Sequence, residues 1–306
     1  MTDNILACRV GSVELANPLI AASGTFGFGR EAAALYDPAC WGGICSKGLT
    51  LRERLGNATP RVAESACGML NSVGLQNPGL AYFMQNELPF MAGLGPRVIA
   101  NAAGHSTEDY LSIVEGLAAD PRVEVIELNL SCPNVAEGCM SIGTDPRQIR
   151  LLVEQLRPLT TKPLWVKLTP NVTSIATAAM AAEAAGADAI SLVNTFLAMR
   201  IDIRSRRPIL ANNTGGLSGP AIKPIALRMV HDVYQAVKIP VVGMGGIASA
   251  EDVIEFMLAG ATAVQLGTAQ LVHPYLPMQI LEELPPLLQE LGFSRISEVT
   301  GQLKTY

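Results

Sequence analysis

Eight short apolar runs, separated by helical patterns, constrain this chain more than any other feature. They are PLIAAS (18–23), GICSK (43–47), RVIANA (97–102), VIELNLS (125–131), PLWVKL (163–168), AISLVN (189–194), PVVGMG (240–245) and AVQLGT (263–268). Each is apolar or β-branched and carries a Gly, Ser, Asn, Lys or Thr at or next to its end, as buried strands do. The intervening segments, such as TEDYLSIVEGLAA, DPRQIRLLVEQLRPL, SIATAAMAAEAAGA, KPIALRMVHDVYQAV and AEDVIEFMLAGA, have helical spacing. Asp145-Pro146 and Ser249-Ala250-Glu251-Asp252 read as helix starts, a capping side chain followed by Pro or acidic residues.

Strands apolar on both faces, alternating with helices, imply a parallel sheet covered on both sides. The count and length predict an α/β fold of the (β/α)8 TIM-barrel type. An open doubly wound sheet is the alternative, but no G-x-G-x-x-G follows the first strand. ILACRVGSVELANP alternates around Gly11-Ser12 and reads as an N-terminal β-hairpin against the barrel bottom. Residues 50–96 are too many for a plain connection and are expected to hold inserted active-site loops. No low-complexity linker interrupts residues 1–306, so the chain reads as one domain although a length prior of roughly 150 residues per domain suggests two.

A formal net charge of −5 provides no basic field for nucleic acid or anionic lipid. The start Met1-Thr2-Asp3-Asn4 does not resemble a secretory signal, and no apolar stretch reaches membrane-spanning length. The expected location is cytoplasmic. There the six cysteines would be reduced. None forms a C-x-x-C pair, so no zinc or iron–sulfur site is expected in this chain. Of the three histidines, His231 falls in a helical run, while His105 and His273 follow strand ends without a partner motif.

Barrel active sites form at the C-terminal strand ends. Those ends here offer Ser23, Lys47, Asn101, Asn129, Cys132, Lys167, Asn194-Thr195, Gly245-Gly246 and Gly267-Thr268. Polar groups in such places require partners, which points to one polar, ligand-filled mouth. Glycines after the seventh and eighth strands, with Gly215-Gly216-Leu217-Ser218-Gly219 before them, suit a phosphate bound by backbone amides. Ordinary tight turns are the bland reading of the same glycines.

Lys47 and Lys167 admit a Schiff-base role. They equally suit charge stabilisation beside a reduced flavin or a substrate carboxylate, and sequence alone leaves both readings open. Asn71, Asn101, Asn129, Asn134 and Asn194 are more carboxamides than turns require, and would match a planar ring edged with N–H and C=O. Cys8, Cys40 and Cys45 read as small core residues. Cys132 differs, because Pro133 ends its strand and begins the glycine-bearing stretch 135–143, a candidate lid. At a free pKa near 8.5, about 3% of such a thiol is thiolate at neutral pH.

Taken together, these residues resemble dihydroorotate dehydrogenase. The resemblance is carried by ASGTFG (22–27), SKGLT (46–50), NSVGLQNPG (71–79), NLSCPN (129–134), TGGLSG (214–219) and MGGI (244–247), and it spans about residues 5–300. It is strongest to the class 1B catalytic subunit, a flavin-mononucleotide barrel that works with a separate electron-transfer subunit. The resemblance implies oxidation of (S)-dihydroorotate to orotate in pyrimidine synthesis, with Cys132 as the base for the C5 proton. Substrate contacts would fall on Lys47, Asn71, Ser72, Val73, Gly74, Leu75, Asn129, Asn194 and Thr195. FMN contacts would fall on Ser23, Lys47, Gly48, Asn101, Asn129, Lys167, Val193, Gly219, Gly245, Gly246, Gly267 and Thr268. FAD, a [2Fe–2S] centre and the NAD+ site would belong to the partner, in a heterotetramer of two catalytic and two electron-transfer chains. Cys139, Cys67 and Arg200 depart from what the resemblance requires. A fumarate-dependent class 1A enzyme and a dihydropyrimidine dehydrogenase-like subunit are the neighbouring alternatives. A flavin-free lysine aldolase and a non-catalytic phosphate-binding barrel are the distant ones.

Overall fold

The computed structural model describes residues 4–131 and 142–306. Strands β1 (Cys8–Val10) and β2 (Val13–Leu15) form the expected antiparallel hairpin across Gly11-Ser12. Alternation buries Val10, Val13 and Leu15 and turns Arg9 and Glu14 outward. Gly11 lies at φ +60°, and a Cβ there would stand 3.7 Å from the Asp188 carbonyl, just before a barrel strand begins. The hairpin therefore packs at the end where the strands start.

The barrel strands are β3 (Leu19–Ala21), β4 (Gly43–Cys45), β7 (Arg97–Ala102), β8 (Val125–Asn129), β9 (Leu164–Lys167), β10 (Ala189–Leu192), β15 (Val241–Met244) and β16 (Ala261–Leu266). All eight are parallel to their neighbours and follow chain order, and β16 closes on β3. The sheet is the one the apolar runs predict. Most strands stop short of their runs: β3 ends at Ala21, β4 at Cys45, β10 at Leu192 and β16 at Leu266. In these four runs the closing polar residues, Ser23, Lys47, Asn194 and Thr268, leave the ladder and enter the loops at the cavity mouth, while Asn101, Asn129 and Lys167 stay within β7, β8 and β9.

Side-chain caps start four of the α-helices, those at Asp145 and Ser249 as anticipated. Ser106, Ser174 and Ser249 accept from the backbone N–H groups of Asp109, Thr177 and Asp252, and Asp145 accepts from Arg147 with Pro146 in the first turn. The first strand–helix unit is not a full one: its helix, Arg30–Ala33, is a single turn. It contains Glu31 but no buried residue, so nothing extends it by packing.

The expected insertion over 50–96 supplies β5 (Val62–Ser65), β6 (Gly68–Asn71) and a helical run at 80–92 with a π-helical turn at Phe83–Glu87. The loop after β10 supplies β11 (Phe196–Ala198), the small pair β12 (Ile201–Asp202) and β13 (Arg207–Pro208), and β14 (Gly215–Ser218). These loops meet as a four-stranded antiparallel sheet, β11-β14-β6-β5, beyond the C-terminal strand ends. It sets Asn71 opposite Gly216 and Phe196 opposite Leu217. A Cβ on Gly216 would fall 2.0 Å from Thr195 Oγ1, so only glycine permits this approach. Among the described residues, no helix is long and apolar enough to cross a membrane.

Candidate active site

A cavity of roughly 660 Å³ opens at the C-terminal strand ends beneath the four-stranded sheet, within the range of small-molecule sites. Its wall includes Lys47 and Gly48 after β4, Asn129 at the end of β8, Lys167 at the end of β9, and Val193, Asn194 and Thr195 after β10. Asn71, Ser72, Val73, Gly74 and Leu75 form the side contributed by the 50–96 insertion. Ser23, Gly219, Gly245, Gly246, Gly267 and Thr268 complete it at the glycine-rich end.

Asn101 stands apart from the other expected contacts. It is fully buried behind Gly48, on which a Cβ would lie 3.0 Å from Asn101 Oδ1. Cys132 falls outside the described residues, as do Asn134 and Cys139.

The carboxamides are oriented by neighbours. Asn129 Oδ1 accepts from Asn194 Nδ2 at 3.3 Å and from the Ser131 backbone N–H at 3.2 Å, while Asn194 Oδ1 accepts from Thr195 N at 2.8 Å. With its oxygen doubly used and no partner for its Nδ2 among the described residues, Asn129 has its NH2 group to offer a ligand. Asn171, which sequence reasoning missed, donates to the Thr195 carbonyl at 3.1 Å and accepts from Leu197 N at 2.9 Å, fastening the start of β11.

The 71–75 wall hangs on Asn77, also missed. This buried side chain accepts from Thr50 N and Gly79 N and donates to Thr50 Oγ1 and the Leu75 carbonyl. Leu75 itself lies at φ 56°, left-handed backbone that a leucine adopts only when its surroundings impose it.

Two lysines face the cavity. Lys167 is 5% exposed. Desolvation, reinforced by the Arg61 charge, holds the Lys47 ammonium below lysine's ordinary range. No carboxylate among the described residues pairs with either ammonium, so a ligand anion would find an uncommitted cation here.

Burial makes three of the described thiols, Cys8, Cys40 and Cys45, poorly suited to acid–base work. Burial pushes Cys8 up to about 12, and burial with the neighbouring Asp37 pushes Cys40 up to about 11. Cys45 is raised by burial and then by Glu127, with Lys167 opposing. Cys67 is exposed and free, and its carbonyl accepts from Ala221 N. Arg200 donates from Nη1 to the Glu64 carbonyl at 2.6 Å, which ties the β11–β12 turn to β5. At the rim, Arg54 meets His105 Nε2. An arginine only donates, so the imidazole accepts as a neutral ring, in line with its lowered pKa from desolvation and the Arg54 charge.

At the glycine end, Gly245, Gly246 and Gly219 lie at φ +125°, +85° and +100°, and Thr268 Oγ1 bonds Ser218 Oγ at 2.7 Å. A Cβ on Gly267 would meet only Ala22 Cβ, at 3.9 Å. Below the cavity lies a polar cluster that the sequence analysis did not anticipate. Glu127, with no exposure, accepts from Asn101 Nδ2 and Cys45 Sγ on one oxygen, and from Ser191 Oγ and Gln265 Nε2 on the other. A lone carboxylate within the apolar run VIELN was the available signal. No group of His, Cys, Asp and Glu among the described residues could hold a metal ion.

A closed parallel barrel with glycines after its last strands and cations and carboxamides around its mouth defines an enzyme-like ligand site of the TIM-barrel class. The dihydroorotate dehydrogenase family model matches residues 5–288, and the chain belongs to that family. It is 52% identical over 299 residues to the dihydroorotate dehydrogenase B (NAD(+)) catalytic subunit of Bacillus mycoides (strain KBAB4), covering 98% of this chain and 97% of that protein. Proteins of the same description from Anoxybacillus flavithermus (strain DSM 21510 / WK1) and Bacillus pumilus (strain SAFR-032) are 51% and 50% identical. They cover 98% and 97% of this chain, and 96% of each relative is matched.

Proposed function

We propose that this chain oxidises (S)-dihydroorotate to orotate and is the catalytic subunit of an NAD+-linked dihydroorotate dehydrogenase. The family match and the identity to catalytic subunits so described support this reading. The observation that carries it to the site is the arrangement of uncommitted Lys47 beside the oriented carboxamides of Asn129 and Asn194. An ammonium and donor–acceptor amides match a ring that bears a carboxylate and an imide edge.

The residues also fit flavin mononucleotide. Gln265 Oε1 and Ser72 Oγ are buried without a partner on residues that line the cavity, and the glycine end leaves room for a phosphate. Bound there, the flavin supplies the two-electron acceptor for the hydride leaving C6 of the substrate. Gly219, Gly245, Gly246, Gly267 and Thr268 would hold its phosphate, and Ser23, Gly48, Asn101, Val193 and Lys167 its ring and side chain. Lys47 would clamp the substrate carboxylate while Asn71, Asn129, Asn194 and Thr195 fix the ring. Ser72 to Leu75 would close the side of the pocket. Cys132 would take the C5 proton as the base. Lys167 would place its charge where negative charge gathers on reduction.

Electrons would then pass to a partner bearing FAD and a [2Fe–2S] centre, two copies of each chain forming a heterotetramer. The purified chain, kept anaerobic, should be yellow and should bleach when dihydroorotate is added. Alone it should not reduce NAD+. A yellow protein that dihydroorotate leaves unbleached, or rapid NAD+ reduction by the isolated chain, would overturn the proposal; fumarate-dependent turnover would move it to the class 1A reaction.

A further inference from the structure

Gln265 Oε1 and Asn101 Oδ1 are both buried and unpartnered, although the amino end of each carboxamide is bonded. Both amino groups point at the same carboxylate. Glu127 Oε2 accepts from Gln265 Nε2 at 2.6 Å, and its Oε1 accepts from Asn101 Nδ2 at 2.7 Å. Ser191 Oγ at 2.8 Å and Cys45 Sγ at 3.3 Å occupy the remaining positions. Four donors on two oxygens leave Glu127 acting only as an acceptor. An acceptor-only hub can hold a carboxamide only by its NH2 end, so both oxygens are forced away from it. Gln265 lines the cavity, and the Asn101 oxygen lies beside Gly48, which also lines it.

We infer that Glu127 is a positioning residue: it holds the Asn101 and Gln265 carboxamides by their NH2 ends, so that Gln265 on the cavity floor offers an acceptor, and no donor, to the single ring N–H of an oxidised flavin. This rests on the flavin reading above and adds to it the residue that sets the floor's polarity. An orphaned buried oxygen is costly, and a pair created by one carboxylate is explained if a ligand N–H completes it.

The test is nuclear magnetic resonance of the full chain reconstituted with flavin mononucleotide labelled with nitrogen-15 at N3. In the wild type the N3 proton should be shifted downfield and exchange slowly with water. In E127Q the new amide keeps its oxygen on Asn101 and Cys45 and sets its NH2 against that of Gln265, which turns Gln265 around and places a donor against N3–H. Its proton should then exchange freely, and flavin affinity should fall about tenfold or more. The double variant E127Q/Q265E returns a carboxylate to the cluster with an oxygen toward the cavity, and should restore the protected proton. A role confined to packing gives no reason for that recovery. If E127Q does not fold, the double variant and Q265M decide: protection should persist in the first and diminish in the second. Flavin that binds with a freely exchanging N3 proton in the wild type, or protection unchanged in E127Q, overturns this inference alone. A chain that binds no flavin at all overturns the cofactor reading instead.

Discussion

Asn194 donates from Nδ2 to Asn129 Oδ1 at 3.3 Å, linking the end of β8 to the loop after β10 across the cavity mouth. The bond fixes which end of each carboxamide a ligand meets. Replacing Asn129 with Ala removes the ligand donor and frees Asn194 to rotate. N129A is expected to lower kcat/KM for dihydroorotate about 10- to 100-fold, measured with an artificial electron acceptor.

Lys47 gives a pH signature. Its ammonium is easier to deprotonate in the folded chain than in the unfolded one, because burial and Arg61 both disfavour the charge. Between the depressed folded pKa and the ordinary value the unfolded chain binds more protons, so this group makes the unliganded protein more stable as pH rises through that window. K47M should therefore raise the ligand-free Tm at neutral pH, with the gain vanishing at alkaline pH. It should also raise KM for dihydroorotate by about a hundredfold, because the substrate carboxylate loses its cation. Thermal scans across pH, paired with steady-state kinetics, check both halves.

Gly246 tests the phosphate end. At φ +85° an added Cβ would also stand 2.8 Å from Lys223 Cβ and 2.9 Å from the Gly219 carbonyl. G246A should disturb this turn and weaken flavin mononucleotide binding about tenfold or more. Riboflavin, which lacks the phosphate, should bind G246A and wild type alike; a calorimetric titration of both ligands makes the comparison.

Asn77 is a stability prediction with a functional echo. Its four hydrogen bonds hold Thr50, Gly79 and the Leu75 carbonyl behind the cavity wall. N77A should cost about 2–4 kcal/mol in unfolding free energy. The 71–75 backbone should then exchange its amide protons faster than the barrel strands do, as hydrogen exchange would record.

Cys132 is tested through its chemistry. C132A should keep the bound-flavin spectrum but lose reduction by dihydroorotate, and C132S should recover a small part of it, rising toward alkaline pH, because a hydroxyl is a far weaker acid than a thiol. Stopped-flow absorbance follows the single turnover.

The barrel was legible because its cues are local: apolar runs, capping residues and glycines repeat along the chain within a few residues of one another. The polar strand ends were legible for the same reason, since Lys47, Asn129, Lys167 and Asn194 each fall at or near the end of a run. The four-stranded sheet was not. Its strands are two loops' worth of three- and four-residue pieces that pair only because β4 and β10 project them over the same mouth. Glu127 was visible as an oddity in VIELN, but its partners come from β4, β7, β10 and β16, and no spacing along the chain reveals them. Asn101 looked like a wall residue because it stands next to the end of its run. Its register directly opposite Glu127 turns it inward instead.

The hairpin β1–β2 gives the barrel a floor, with Val10, Val13 and Leu15 among the core residues. A vessel sealed at one end has a single door. Substrate must then enter and product leave by the same doorway, and a partner that takes the electrons has to leave that doorway open. Orotate should therefore inhibit by competing with dihydroorotate for that mouth, raising KM and leaving kcat unchanged when an artificial electron acceptor is held constant.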